Sequence, residues 1–306
     1  MAGAPVVVLA GGTGGAKLAR GMLDAVGEDL VVVANTGDDI EIYGAHVSPD
    51  PDLVSYWLAD RIDERGWGLR GDSFAVMDGL RELGVDVWFN LGDRDLAVCL
   101  ERKRRLDEGA RLTDALHQLG EALGLGARVL PMSDDPVRTW VRADGRWQPF
   151  QDFMIRSGGA GPVEGVEFRG ADAAAPPPEA LAAIAAARAI VIGPSNPVAS
   201  IQPILSVPGM SAALAAAGAA VVAVSPIVGG QVLKGPTEAF MSWGGHAVDA
   251  DGVARAYDGV IDGLVTDEPC DGVPSLRTDT LMDDAAGRRR VAEETLGFCE
   301  ALGAII

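Results

Sequence analysis

The sequence contains few positive charges. Of its 306 residues, 25 are Lys or Arg and 44 are Asp or Glu, which gives a formal net charge of −19 at pH 7. A protein with this charge repels nucleic-acid backbones, so nonspecific nucleic-acid binding is excluded. An anionic substrate would need a metal ion, backbone amides or a few well-placed cations at its site.

Cysteine is also scarce. Cys99, Cys270 and Cys299 are far apart, and their odd number argues against a disulfide framework and a paired metal-ligand motif. No apolar run approaches the ~18 residues of a membrane span, and the N-terminus carries neither a basic leader nor a small-residue cleavage site. We therefore expect a cytoplasmic protein that is neither secreted nor embedded in a membrane.

What the sequence does contain is a series of short apolar segments separated by helical stretches. Segments that are apolar throughout are typical of strands buried on both faces of a parallel sheet. The segments are Val6–Ala10, Leu30–Ala34, Val85–Asn90, Arg128–Leu130, Ala189–Ile192, Ala220–Val224 and Val260–Val265. We predict a single α/β domain over 1–306, with a doubly wound, mostly parallel Rossmann-like sheet flanked by helices. A small β-rich insertion is predicted at about 139–178.

A glycine-rich segment follows the first predicted strand, and parallel sheets bind ligands beyond the carboxyl ends of their strands. Glycines there let the backbone approach a phosphate, and the helix predicted over 16–25 directs its amides at the anion. Tight packing of strand on helix would explain the glycines without a ligand. We predict a phosphate-binding loop, although neither GxGxxG nor the P-loop pattern is present. Its residues are Gly11, Gly12, Thr13, Gly14 and Gly15, with Lys17 beyond them.

Four aspartates follow the second predicted strand. Asp38 and Asp39 come at the strand end, and Asp50 and Asp52 lie in the predicted loop after it. Carboxylates of this kind suit Mg²⁺, which one or two of them hold while substrate phosphate completes its shell. Solvated turns explain the same letters in isolation. Beside a phosphate loop, we prefer the metal interpretation.

Two further loops carry polar candidates. Arg94 lies between Asp93 and Asp95, where its planar cation could fix a carboxylate, a phosphate or a heterocycle, or could form a local salt bridge. Ser195 and Asn196 lie in a turn stiffened by prolines, which could bind a base or a phosphate or only shape the turn. The residues alone leave both choices open.

Taken in order, these segments resemble one family. The chain is similar over about 6–283 to the 2-phospho-L-lactate transferase family (CofD/FbiA) of coenzyme F(420) biosynthesis. The segments that carry the resemblance are GGTGGAKL (11–18), NTGDD (35–39), VSPDPD (47–52), GWG (66–68), LGDRDLA (91–97), LPMSDDP (130–136), PSNPV (194–198), SIQPIL (200–205), VSPIVGG (224–230) and KGP (234–236).

The resemblance implies a reaction on a deazaflavin, 7,8-didemethyl-8-hydroxy-5-deazariboflavin (Fo). Its ribityl hydroxyl attacks the diphosphate of a guanosine diphospho-acid, GMP leaves, and a phospho-acid of the 2-phospholactate or phosphoenolpyruvate type stays on Fo. By position, Asp52 and Arg94 contact Fo, Asp38 and Asp52 hold Mg²⁺, and the glycine loop with Ser195 and Asn196 binds the nucleotide. Asp50 or Asp52 would accept the hydroxyl proton.

Two positions depart from the family pattern, and two other functions compete with the transferase. Val98-Cys99 replaces the usual Thr-His, and Pro51 replaces a Leu. A regulatory nucleotide-sugar-binding protein of the gluconeogenesis-factor (YvcK-like) type shares the glycine loop, but Asp52, Gly92–Arg94 and Pro194–Pro197 favour the transferase. A nicotinamide dehydrogenase rests on the glycine loop alone. A homodimer is the default expectation.

Overall fold

The structure is a computed structural model that describes residues 3–304. Most of its strands are short, and the five inner strands of the main sheet are buried on both faces. The strands of this range are β1 (Val6–Ala10), β2 (Leu30–Ala34), β3 (Ile40–Ile42), β4 (Ala45–Val47), β5 (Arg128–Pro131), β6 (Arg138–Ala143), β7 (Arg146–Pro149), β8 (Gly165–Arg169), β9 (Ala189–Ile192), β10 (Val221–Val224), β11 (Ile227–Val228), β12 (Gln231–Val232), β13 (Gly263–Thr266) and β14 (Ser275–Arg277).

Helices connect these strands and cover the main sheet. Single π-helical turns span Asp152–Arg156 and Pro197–Ile201, and short 3-10 turns span Gly27–Asp29 and Ala171–Ala173. The α-helices of the described range are α1 (Gly12–Val26), α2 (Pro49–Leu58), α3 (Ala75–Glu82), α4 (Asp93–Asp107), α5 (Leu112–Leu123), α6 (Pro178–Ala185), α7 (Gln202–Ser206), α8 (Met210–Ala215), α9 (Thr237–Trp243), α10 (Ala250–Ala256) and α11 (Ala285–Gly303).

The central sheet has seven parallel strands in the order β14-β13-β10-β9-β1-β2-β5. Alternate residues of β1 enter two separate cores. Val7 and Leu9 pack in the core that includes residues of α6, α7, α8 and α10, and Val8 packs in the core of α1, α2 and α11. Helices therefore cover both faces, which confirms the predicted doubly wound α/β fold.

The strand order reverses beside β1. From β1 the chain runs outward through β2 to β5, and it then returns to β9 on the other side of β1 before continuing to β10, β13 and β14. In parallel sheets, ligands bind beyond the carboxyl ends of the strands at a reversal of this kind. We call the region beyond the carboxyl ends of β1 and β9 the crevice.

In the main sheet, one predicted strand is wrong and one strand was not predicted. Residues 85–90 form no strand; Val85 is 40% exposed, whereas a strand inside a parallel sheet is covered on both faces. The polar segment after it is instead the start of α4. The unpredicted strand is β14, whose three residues, Ser275–Arg277, carry no apolar run.

A smaller antiparallel sheet of three strands, in the order β7-β6-β8, lies within the stretch where we predicted a β-rich insertion. It begins at Arg138, directly after the loop that leaves β5, and its backbone is joined to the loop after β2, because the Thr139 amide donates to the Gly37 carbonyl at 2.7 Å. The small sheet therefore forms one wall beside the strand ends. No helix within residues 3–304 is long and apolar enough to cross a membrane.

Candidate active site

The loops after β1 and β9 are joined at the crevice. The Ser195 hydroxyl donates to the Gly11 carbonyl at 2.5 Å and accepts from the Gly11 amide at 3.2 Å. A Cβ at Gly14 would collide with the Pro194 carbonyl, so a glycine is required there for the two loops to meet. Helix α1 begins at Gly12, not at 16 as predicted, so most of the glycine segment is the first helical turn.

Asp50 lies against the start of α1. Its Oδ1 accepts from the Gly12 amide at 2.7 Å, and its Oδ2 accepts from Asn35 Nδ2 at 2.9 Å. The predicted loop is in fact the first turn of α2, which Pro49 starts because proline is well suited to that position. Burial raises the pKa of Asp50 to about 6, and its hydrogen bonds with Gly12 and Asn35 oppose this rise. Near neutral pH such a carboxyl can accept a proton.

Asp38 follows β2 and is also buried. Its Oδ1 has no hydrogen-bond partner among the described residues. Burial and the nearby Asp50 raise the pKa of Asp38 well above its usual range. A buried carboxylate oxygen without a donor, beside a second carboxylate, is chemically suited to a hard divalent cation. The residues present therefore fit the predicted Mg²⁺ at Asp38.

Asp52 is held differently from Asp50. Both of its carboxylate oxygens accept from the Arg102 guanidinium, which also donates to the His46 carbonyl at 3.1 Å. Burial raises the pKa of Asp52, and the charge of Arg102 opposes this rise. This partner could not be predicted, because Arg102 belongs to a run of charged residues in α4 that is typical of a solvated helix face. Roles for Asp52 toward Mg²⁺ and Fo remain predictions.

A closed cluster surrounds Asp52 on its other side. Tyr56 donates to Asp95 at 2.7 Å, and Cys99 Sγ lies 4.0 Å from Asp52 Oδ2. Burial and the neighbouring Asp52 raise the pKa of Asp95 to about 7. Cys99, at the position where the family pattern has histidine, is thus a buried neighbour of these carboxyls, and burial raises its pKa.

The predicted cations lie at the rim. Arg94 is largely exposed and donates through Nη2 to the Arg70 carbonyl at 2.7 Å. Lys17 is on α1, with its ammonium 4.0 Å from Asp283. The Asn196 side chain accepts from the Val198 and Ala199 amides, so its Oδ1 shapes the turn. Nucleotide or Fo contacts by these three residues remain predictions.

A cation that we had not selected reaches the glycine segment. Lys234 extends from the loop after β12, and its ammonium lies 3.3 Å from Thr13 Oγ1. The chain has three lysines, Lys17, Lys103 and Lys234. A lysine in a glycine- and proline-bearing loop after a strand was the available signal. Because lysine is scarce in this chain, Lys234 was informative. The sequence could not show that it contacts Thr13, which is 221 positions away.

Comparison with known proteins gives a consistent match. A family model described as 2-phospho-L-lactate transferase CofD matches residues 6–280. The chain is 39% identical over 299 residues to a 2-phospho-L-lactate transferase of Methanosarcina mazei, covering 94% of this chain and 98% of that protein. It is 41% identical over 313 residues to a phosphoenolpyruvate transferase of Kitasatospora aureofaciens, covering 96% and 98%.

A solved structure shares the fold. The crystal structure of a UPF0052 family member from Bacillus halodurans superimposes with a TM-score of 0.66, covering 97% of this chain and 99% of that one at 17% sequence identity. At this identity the likeness concerns the fold alone. The chain and that protein therefore share the architecture on which the crevice is built.

Proposed function

Since this chain belongs to the 2-phospho-L-lactate transferase CofD family, we propose that it transfers a phospho-organic acid from a guanosine diphospho-acid to the ribityl hydroxyl of Fo. In this reaction a bond forms between the hydroxyl oxygen and the phosphorus that carries the acid, and the bond from that phosphorus to GMP breaks. The product belongs to coenzyme F(420) biosynthesis. The single observation that carries the proposal is the buried Asp50 carboxyl at the start of α1.

Asp50 is our candidate for the proton acceptor. An alcohol is a weak nucleophile near neutral pH, and a carboxyl with a pKa of about 6 can take its proton as the new bond forms. Asp50 is fixed by neutral donors, Gly12 and Asn35, and not by a cation that would hold its negative charge. Asp52, whose oxygens accept from Arg102, is the weaker candidate for this step.

The start of α1 is our candidate for the diphosphate site. Amides at a helix start and the positive end of the helix dipole attract phosphate oxygens. Lys234 adds a positive charge beside Thr13, which partly offsets the net charge of −19. Alignment of the donor and neutralisation of its charge are the main tasks of the protein in phosphoryl transfer.

We propose Asp38 as the first ligand of Mg²⁺, on the strength of its unpartnered Oδ1. When bound, the ion would neutralise phosphate charge and polarise the phosphorus centre. Asp52, whose two oxygens already accept from Arg102, is the weaker candidate for a second ligand. Arg94, at the exposed rim, is proposed to contact Fo.

The proposal is tested by an assay with purified protein, Fo, Mg²⁺ and guanosine diphospho-acids carrying lactate, enolpyruvate or glycerate. GMP and a more anionic deazaflavin should form in equal amounts. Chromatography and mass spectrometry would measure both products. Arg94→Ala should lower turnover by more than roughly tenfold. Absence of product with all three donors would reject the transferase, and full activity of Arg94→Ala would reject our placement of Fo.

The alternative is a regulatory protein that binds a nucleotide sugar, of the gluconeogenesis-factor type. It would bind nucleotide sugar tightly and release no GMP in the same assay. The family match and the transferase names of the relatives favour the enzyme. We also propose a homodimer, which light scattering coupled to size-exclusion chromatography would check.

A further inference from the structure

The Arg94 guanidinium is held by the loop between α2 and α3. Its Nε forms an ion pair with Asp72 Oδ1 at 3.5 Å, and its Nη2 donates to the Arg70 carbonyl at 2.7 Å. Within residues 3–304, neither of the acids that flank it in the chain, Asp93 and Asp95, accepts a hydrogen bond from this guanidinium. Its carboxylate partner is instead 22 positions away.

Asp72 is a buried carboxylate at the start of α4. Its side chain is 1% exposed. Oδ2 accepts from the backbone amides of Arg94 at 3.1 Å and Asp95 at 3.0 Å, and Oδ1 accepts from the Ser73 amide at 2.9 Å. Amides at a helix start carry partial positive charge and hold a carboxylate well. Asp72 therefore fixes both the backbone and the side chain of Arg94.

Two glycines make this arrangement possible. A Cβ at Gly92 would lie 2.3 Å from Asp72 Oδ2, so a larger residue there would displace the carboxylate. Gly71 has a φ of 64°, a conformation that favours glycine. It lies between Arg70 and Asp72, and the turn at this residue lets a carbonyl and a carboxylate of the same loop contact one guanidinium.

The other edge of the Arg94 guanidinium stays accessible. The side chain is 59% exposed. Nε and Nη2 form the edge that the loop holds, and Nη1 donates to no residue within 3–304. The fixed edge orients the free one, because the guanidinium is planar and rigid. An arginine without such support would lose rotamer freedom when it binds a ligand, and this loss weakens binding.

We propose that Asp72 is a positioning residue, which holds Arg94 in the orientation that contacts Fo. This inference rests on the proposed function, which places Fo at Arg94. Asp72 does not touch the substrate, since its side chain is buried and all its contacts are inside the protein. Its effect on Fo is passed through Arg94.

The test measures the binding of Fo without turnover. The Kd of Fo is determined by equilibrium dialysis with Mg²⁺ and GDP, which has no acid to transfer, and Fo is followed by its absorbance. Asp72→Asn should raise this Kd by roughly threefold to tenfold, the cost of ordering one long side chain on binding. The Kd of GDP should stay within about twofold.

Asparagine is a suitable replacement for Asp72. Its amide oxygen can take the position of Oδ2 and still accept from the α4 amides. Its NH2 group then lies beside Arg94 Nε and cannot accept a hydrogen bond. Urea unfolding would verify that the variant is folded before the titration.

Two variants of Arg94 show whether the effect passes through this residue. In Arg94→Ala, the addition of Asp72→Asn should change the Kd of Fo by less than about twofold, because the coupled partner is gone. Arg94→Lys changes only an exposed side chain and keeps its charge. A lysine has no planar fork, so it should raise the Kd of Fo by at least roughly threefold.

Asp63→Asn is the matched control. Asp63 is in the same loop, accepts from Arg65 Nε at 2.6 Å and also accepts from the amides of Arg65 and Gly71. It has no contact with the Arg94 guanidinium among the described residues. Asp63→Asn should leave the Kd of Fo within about twofold of wild type.

The positioning role would be rejected by an unchanged Kd of Fo in Asp72→Asn or Arg94→Lys. An equal loss of Fo binding in Asp63→Asn would reject it too, as would a further loss when Asp72→Asn is added to Arg94→Ala. Wild-type protein that binds Fo but gives no product with any donor would reject the proposed transfer and leave the role of Asp72 standing. Wild-type protein that does not bind Fo would reject both.

Discussion

Asp50 and Asp52 lie two residues apart in the first turn of α2, and they are 5% and 4% exposed. Neutral donors hold Asp50 at the open strand ends, whereas the cation of Arg102 holds Asp52 inside a closed cluster. No cation neutralises the negative charge of ionised Asp50, so a ligand or a metal ion can interact with that charge. The charge of Asp52 is already neutralised by the fold. Residue type and burial alone therefore do not identify a catalytic carboxylate; the partner does.

The strongest way to test this contrast is to remove the cation. Arg102→Met should lower the free energy of unfolding by about 3–5 kcal/mol, because it leaves Asp52 charged, buried and unpaired. Urea unfolding would measure this loss. Asp52→Leu added to Arg102→Met should recover most of it. Arg104→Met, on the exposed side of the same helix, is the control and should have a much smaller effect. Equal losses of stability in the two single variants would show that Arg102 is not a special partner of Asp52.

Next in size is the effect of Asp50 on turnover. Asp50→Asn should lower kcat by at least about a hundredfold, because an amide cannot accept the hydroxyl proton. The free energy of unfolding should fall less than in Asp52→Asn, since removal of a buried charge offsets the one hydrogen bond that an amide NH2 in place of an Asp50 oxygen would lose. Asp52→Asn provides the opposite control, with a clear loss of stability as Arg102 loses its charged partner. A stability loss as large in Asp50→Asn would mean that Asp50, too, is structural.

The last effect is seen only in the pH dependence of the closed cluster. Burial raises the pKa of Asp95 to about 7, so between about pH 4 and 7 the folded protein keeps a proton that the unfolded chain has released. This contribution to stability is complete below the unfolded pKa and is lost as the pH rises to 7, with a slope of at most about 1.4 kcal/mol per pH unit.

Asp95→Asn should remove this decline from the pH dependence of urea unfolding. Above pH 8, where Asp95 is ionised in both states, the variant should show the same slope as wild type. An unchanged slope between pH 4 and 7 would show that another group in the cluster, such as Asp52, holds the proton.

The sequence predicted the strands and loops that position the site better than the contacts between its side chains. The segments at Val6–Ala10 and Ala189–Ile192 are uniformly apolar because they are buried on both faces, and the rule for parallel strands then placed their loops together. Val85–Asn90 is also largely apolar, although it contains Asp86, and its letters do not show that its residues lack a covering layer. The correct predictions depend on patterns of neighbouring residues, whereas the wrong strand depends on tertiary contacts that such patterns do not contain.

Partners within the site were beyond prediction for the same reason. Arg102 is 50 positions from Asp52, and Lys234 is 221 positions from Thr13. No sequence periodicity or motif links residues that are so far apart in the chain. The letters around Arg102 are therefore compatible with a solvated helix face, and those around Lys234 with a flexible loop. The four aspartates could be selected from their spacing, but their different environments could not.

The position of Lys234 also offers a practical probe of binding. A chain with three lysines presents very few targets to an amine-reactive reagent. Lys103 pairs with Asp107 on α4 and Lys17 lies beside Asp283, whereas Lys234 reaches Thr13. In covalent labelling read by peptide mass, Lys103 would therefore be the internal standard, and protection of Lys234 or Lys17 by a nucleotide would show which amine lies beside its phosphates.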